Sequence, residues 1–177
     1  MSEWSNVPLS KSGVRVKTNR EFESPPLRKN ITSNVNLIIM KLVTQEGSMG
    51  CGIACAASLA GLSYKQMRKL FNQGNVKDKT TGFYHKDFEE ALGKVGINIK
   101  GYSAKRWGEK RIKPGTIVFI RRGKVYKYGH FLLKTPNGWM NPWKTGKTIE
   151  EAQAGWQKRL PDKKDWIIET WRSDKKM

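Results

Sequence analysis

Gln45-Glu46-Gly47-Ser48-Met49-Gly50-Cys51-Gly52-Ile53-Ala54-Cys55-Ala56-Ala57-Ser58-Leu59-Ala60 is the segment from which the rest of the 177-residue chain is best read. Its first six residues are small or polar and describe a loop. The ten that follow carry no charge. Their alanine content favours helix, and a helix that is apolar all round belongs in the middle of a core. Gly61 supplies a C-terminal cap. Cys51 thus stands where a glycine-containing loop enters a buried helix. A thiol there feels the positive end of the helix dipole, which favours the nucleophilic thiolate, and Gly50 and Gly52 leave room for a substrate backbone. A buried structural cysteine at the edge of an alanine-rich helix fits the same residues, because cysteine is among the most buried residue types.

Beyond this helix, Ser63 and Gln66 form a Ser-x-x-Gln capping box for a second helix with Met67, Leu70 and Phe71 on one face. A loop containing Gly74 and Gly82 leads to a third helix, about His85 to Val95, stopped by Gly96. The period then changes. Ile97 and Ile99, Thr116–Ile120, Lys124–Tyr128 and His130–Lys134 read as short strands. The turn Thr135-Pro136-Asn137-Gly138 joins the last of these to Trp139–Trp143. A helix near Ile149–Lys158 and a strand near Trp166–Trp171 finish the pattern. Helices followed by an antiparallel sheet make the class α+β. Leu37–Val43 reads as a first strand or as the point where an arm docks. Residues 1–36, with Pro25-Pro26 and no sustained periodicity, are expected to be that arm, residues 37–172 the domain and residues 173–177 a tail. The arm is also a candidate inhibitory or targeting segment.

His130 begins a core strand, a polar residue at the entrance to Phe131-Leu132-Leu133. If Thr135 pairs with Gly138 across the turn, Leu132 opposes Asn141 and His130 opposes Trp143. Alternation then puts His130 and Asn141 on one face as diagonal neighbours. An asparagine oxygen can hold one imidazole nitrogen and aim the ring at a thiol, and Trp139 and Trp143 would border that bond. A histidine merely satisfied at a strand end is the competing reading. Cys55 reads as core and His85 as a helix-start residue. Cys51, Cys55, His85 and His130 lack the Cys-x2-Cys or His-x3-His spacing of a zinc site, so no metal or cofactor is expected. Gly146-Lys147-Thr148 is not the end of a phosphate-binding loop, since the required upstream glycine is Asn141.

Lys and Arg number 34 against 15 Asp and Glu, a formal charge of +19. Between Lys100 and Lys134 there are eleven Lys/Arg and one acid, Glu109. Tyr102, Trp107, Tyr126 and Tyr128 are interleaved there, as on a surface that holds nucleic acid or an acidic protein. A solvated face that keeps the protein soluble accounts for the same residues. Two cysteines exclude a disulfide-stapled scaffold, and 10% aromatic content excludes compositional disorder. Ile53–Leu62, the longest nearly apolar run, is half of a membrane span, and no signal peptide opens the chain. The expected location is cytoplasmic, or a target cell entered without a classical signal peptide.

Gln45-x5-Cys51-Gly52 at a helix start, then His130-Phe131-Leu132-Leu133 on a later strand, then Asn141-Pro142 on the next, resembles the papain-like cysteine peptidases. The likeness is strongest to the double-glycine leader peptidases, small proteases often fused to bacteriocin exporters. Further matches are Cys51–Ala56, Phe88–Ile97, Gly129-His130-Phe131 and Ala154-Gly155-Trp156, and the resemblance spans roughly residues 38–171. It implies a papain-like fold in which the first helix carries the nucleophile and packs on the antiparallel sheet. It also implies Cys51 as nucleophile, His130 as general base and then acid, Gln45 as oxyanion donor and Asn141 as orienter. Leader peptidases usually have Asp before the cysteine, where this chain has Gly50, and Asp as the third member, where it has Asn141. The expected function is a cysteine hydrolase that cleaves an amide bond of a peptide or protein, as a phage or plasmid processing enzyme or a toxin. Deamidation and cell-wall peptide cleavage are sister chemistries. The alternative is an inactive papain-like module that binds nucleic acid or an acidic protein through its basic surface.

Overall fold

Alanine and glycine leave the helix Cys51–Ala60 (α1) narrow enough to be enclosed: every residue from Cys51 to Leu59 is buried. The structure, a computed structural model, describes residues 40–107, 112–123 and 126–170. The expected arm at 1–36 and tail at 173–177 lie outside these. Ending α1, Gly61 adopts a left-handed φ of 70°, and Leu62 N–H reaches back to Ala57 O at 2.9 Å. Tyr64–Leu70 (α2) starts on the expected box: Ser63 Oγ accepts from Gln66 N–H at 3.3 Å, and Gln66 Oε1 accepts from Ser63 N–H at 2.9 Å. A short helix, Gly74–Lys77 (α3), interrupts the expected loop. His85–Gly93 (α4) buries Phe88, Ala91 and Leu92.

The strands are Ile99–Ser103 (β1), Ile117–Ile120 (β2), His130–Thr135 (β3), Gly138–Thr145 (β4), Gln153–Gln157 (β5) and Lys164–Thr170 (β6), with the helical turn Ala104–Trp107 (α5) after β1. They form one sheet in the order β1-β6-β2-β3-β4-β5, every pair antiparallel. The class is therefore α+β, as expected. One apolar cluster joins α1, α2 and α4 to Ile117, Phe131, Leu133, Met140 and Ile168. A second gathers Trp107, Val118, Ile120, Leu132, Trp139 and Ile167. Alternation along the strands divides them: Phe131 and Leu133 join the first, Leu132 the second.

Two expectations need correction. The helix near Ile149–Lys158 is instead a turn followed by β5, whose Gly155 opposes Asn141 of β4. The open edge of β4 offers a ladder that outweighs the local helical pattern. The strand over Lys124–Tyr128 is a turn where it is described, with Gly129 N–H bonded to Tyr126 O at 3.0 Å; residues 124 and 125 lie outside the described residues. Of the stretch read as a strand or a docking point, residues 40–43 form no strand and Met40 and Val43 pack against the first cluster, while residues 37–39 lie outside the described residues. Among the described residues no helix is long and apolar enough to cross a membrane.

Candidate active site

Cys51 owes its place to the loop before it. Gln45 N–H bonds Pro142 O at 3.3 Å and Thr44 Oγ1 accepts from Ala154 N–H at 3.0 Å, so the loop is tied to β4 and β5. Met49 N–H bonds Asp78 O at 2.7 Å, and Gly50 N–H closes a turn onto Gly47 O at 2.9 Å. Beneath the loop, the fully buried Asp78 carboxylate lies 3.4 Å from both the Tyr64 hydroxyl and Arg68. A Cβ at position 50 would collide with the Tyr64 hydroxyl. Any larger residue before the cysteine, the aspartate usual in leader peptidases included, would therefore require Tyr64 to move.

His130 is placed by the residue before it and the strand after it. Gly129 has a φ of 79°, and a side chain there would run into the Phe119 ring. The β3–β4 register is the one the turn implied, Thr135 opposite Gly138 and Leu133 opposite Met140. It brings His130 Nε2 to 2.8 Å from Asn141 Oδ1. The same oxygen accepts from Trp143 N–H at 3.0 Å. Asn141 Nδ2 donates to the Tyr126 hydroxyl at 2.8 Å and to Gln157 Oε1 at 2.9 Å. Pro142 follows in mid-strand without an N–H, and the β4–β5 register shifts between Asn141 and Thr145.

Gln45, Cys51, Tyr126, His130 and Trp143 line one cleft of about 380 Å³, with Met49 and Tyr128 on its wall. Asn141 sits behind His130, buried. The four residues singled out from sequence thus converge, but Gln45 is turned differently from its expected part. Its Nε2 donates to the loop carbonyls of Gly47 at 3.0 Å and Ser48 at 3.3 Å, while Oε1 is buried without a hydrogen-bond partner among the described residues. Reversing the amide would set oxygen against two carbonyls, so this orientation follows from the loop.

Burial dominates the electrostatics. It pushes the Cys51 thiol up to about 11, against the pull of the backbone N–H groups of Phe131, Gly52 and Cys51. It pushes His130 down to about 4, against the bond to Asn141. The thiolate expected from the helix dipole is therefore outweighed by desolvation. At neutral pH the site holds a thiol and a neutral imidazole. Asn141 Oδ1 only accepts, so Nε2 carries the ring proton and Nδ1 is the basic nitrogen. Such a pair can pass a proton from sulfur to nitrogen as a nucleophilic attack proceeds.

Two residues of the site were not found from sequence. Tyr126 lies parallel to the His130 ring, at 4.2 Å between centroids and 3° between planes; of the two tryptophans expected to border the His130–Asn141 bond, Trp143 lines the cleft and Trp139 packs in the second cluster. Gln157 was hidden in the misread helix. The basic stretch also looks different once folded. Trp107 is buried and packs on Tyr102, Tyr126 serves the histidine, and only Tyr128 of the four aromatics is strongly exposed. Cys55 is core, and His85 stacks on Trp166.

No protein family matches the chain, and no curated protein does. Among solved structures, the chain is similar to the peptidase domain of Streptococcus ComA, a bi-functional ABC transporter involved in a quorum-sensing pathway. The two are 20% identical over 74% of this chain and 97% of that one, with a TM-score of 0.47.

Proposed function

We propose that the protein is a papain-like thiol hydrolase that cleaves an amide bond of a peptide or protein, with Cys51 as nucleophile and His130 as its base. The observation that supports this most is the 2.8 Å His130–Asn141 bond behind a cleft that Cys51 also lines. A buried histidine held through one nitrogen keeps the other free for proton transfer.

In this reading Nδ1 of His130 takes the thiol proton as sulfur adds to the carbonyl carbon. The tetrahedral oxyanion meets backbone N–H groups at the start of α1, that of Cys51 among them. Gln45 contributes its amide by exchanging the 3.3 Å bond to Ser48 O for one to the oxyanion. His130 then returns the proton to the leaving amine, and water, deprotonated by the same nitrogen, releases the acyl group. Because the resting pair is neutral, proton transfer accompanies attack and no ion pair stands ready. The net charge and the lysines at the cleft favour no partner over another.

The test is turnover in oxygen-18-enriched water with a degenerate peptide mixture, read by mass spectrometry. Every new carboxylate acquires the label, whether the backbone is cut or a glutamine deamidated, so the sister chemistries are separated by product mass. Labelled products are expected from the wild type and their loss, by at least about a thousandfold, from Cys51→Ala and His130→Ala. Turnover that survives in Cys51→Ala sinks the proposal. So does its absence from the wild type, and the basic surface then becomes the functional feature.

A further inference from the structure

The Asn141 carboxamide has no free hydrogen-bonding position: Oδ1 takes His130 Nε2 and Trp143 N–H, and Nδ2 gives to Tyr126 and Gln157. Two main-chain groups determine the polarity of this network. The Trp143 N–H can only donate, so the atom it meets must be Oδ1. The Arg159 carbonyl can only accept, and it takes Gln157 Nε2 at 2.9 Å. That leaves Gln157 Oε1 facing Asn141, which requires Nδ2 there. Both ends thus demand the same orientation of Asn141, and that orientation requires a proton on Nε2 of His130.

We propose that Tyr126 and Gln157 are positioning residues that lock the Asn141 carboxamide and thereby set the His130 tautomer, with the Tyr126 ring covering one face of the imidazole. The lock deepens the hydrolase reading and rests on it for its purpose. Its existence is a separate matter from turnover. Without Gln157, Nδ2 loses its tie to the Arg159 carbonyl. Without the Tyr126 hydroxyl, Nδ2 loses its other acceptor. In either case a carboxamide reversal costs less, and a reversed Asn141 presents N–H groups to Nε2, which then accepts and leaves the proton on Nδ1. The imidazole in that state has no lone pair for the thiol. A merely structural pair of residues would alter stability without moving the proton between the two ring nitrogens.

The chain has two histidines, so nitrogen-15 histidine labelling of the full protein gives two ring systems to assign. Long-range proton–nitrogen correlation at neutral pH reads the tautomer of each, and His85, stacked on Trp166, is the internal control. His130 is expected as the Nε2–H form in the wild type. Tyr126→Phe, which keeps the stacked ring, and Gln157→Leu should each give a measurable Nδ1–H fraction, and the double variant a larger one. Turnover should fall with the Nε2–H fraction, by roughly tenfold in the double variant. Tyr126→Phe removes one oxygen atom and is the decisive variant if Gln157→Leu fails to fold. An unchanged His130 tautomer in folded Tyr126→Phe overturns the lock, whatever the turnover. A tautomer that shifts in a protein without Cys51-dependent turnover keeps the lock and removes the hydrolase. Turnover that depends on Cys51 beside an unshifted tautomer does the reverse.

Discussion

At the scale of single residues, the environment of a side chain decides its chemistry more than its type does. His130 and His85 are the same residue, yet one is enclosed and bonded to Asn141 while the other stacks on an exposed tryptophan. The enclosure has a consequence for stability. His130 titrates near 4 in the folded chain against the ordinary histidine value of 6.5, so between these values the unfolded chain binds more protons. Stability is then intact above about pH 6.5 and declines as the pH falls toward 4, by up to about 3 kcal/mol. Urea unfolding of the wild type and of His130→Gln at pH 7 and pH 4.5 checks this. The wild type should lose more than the variant, and equal losses would place the acid sensitivity elsewhere. Cys51 has the opposite sense: its raised value makes the folded state lose stability as the pH rises from 9 toward 11.

At the scale of elements, the loop before α1 depends on helix α2 and on Asp78 at the end of α3. Arg68 is the cation beside the fully buried Asp78, and Asp78 Oδ1 and Arg68 Nε have no further partners among the described residues. Breaking a buried pair leaves an uncompensated charge. Arg68→Met should therefore destabilise by on the order of 3 kcal/mol, while Arg68→Met with Asp78→Asn should recover much of that loss. Chemical denaturation of the two variants measures both. Because Asp78 O also holds Met49 N–H, the single variant should loosen the loop that carries Gln45, seen as faster amide exchange at Met49 and Gly50.

At the scale of the whole molecule, the sheet order brings distant segments into contact. The strand β6, near the end of the chain, lies between β1 and β2 and supplies Ile167 to one cluster and Ile168 to the other. The +19 charge works against this compact arrangement through self-repulsion. Added salt screens repulsion over roughly a Debye length, about 10 Å at 0.1 M. The melting temperature should therefore rise by several degrees between 20 mM and 300 mM sodium chloride in a scanning calorimeter. No change, or a fall, would mean that the positive charges are compensated within the fold.

Local patterns accounted for α1 with its glycine cap, the capping box of α2 and the turn that pairs Thr135 with Gly138. Each rests on interactions a few residues apart, and so each can be read along the chain. The His130–Asn141 pair belongs with them, because a four-residue turn and the two-residue period of a strand determine it. What the chain could not show depends on segments far apart in sequence. Strand β5 exists because β4 has an edge to fill, so Gln157 was unreadable as a neighbour of Asn141. Tyr126 looked like part of a basic surface until the turn at Gly129 laid it over the histidine. The protonation of Cys51 was decided by enclosure between α1 and β3, which outweighs the helix dipole. A dipole follows from one helix, whereas desolvation follows from everything packed around it.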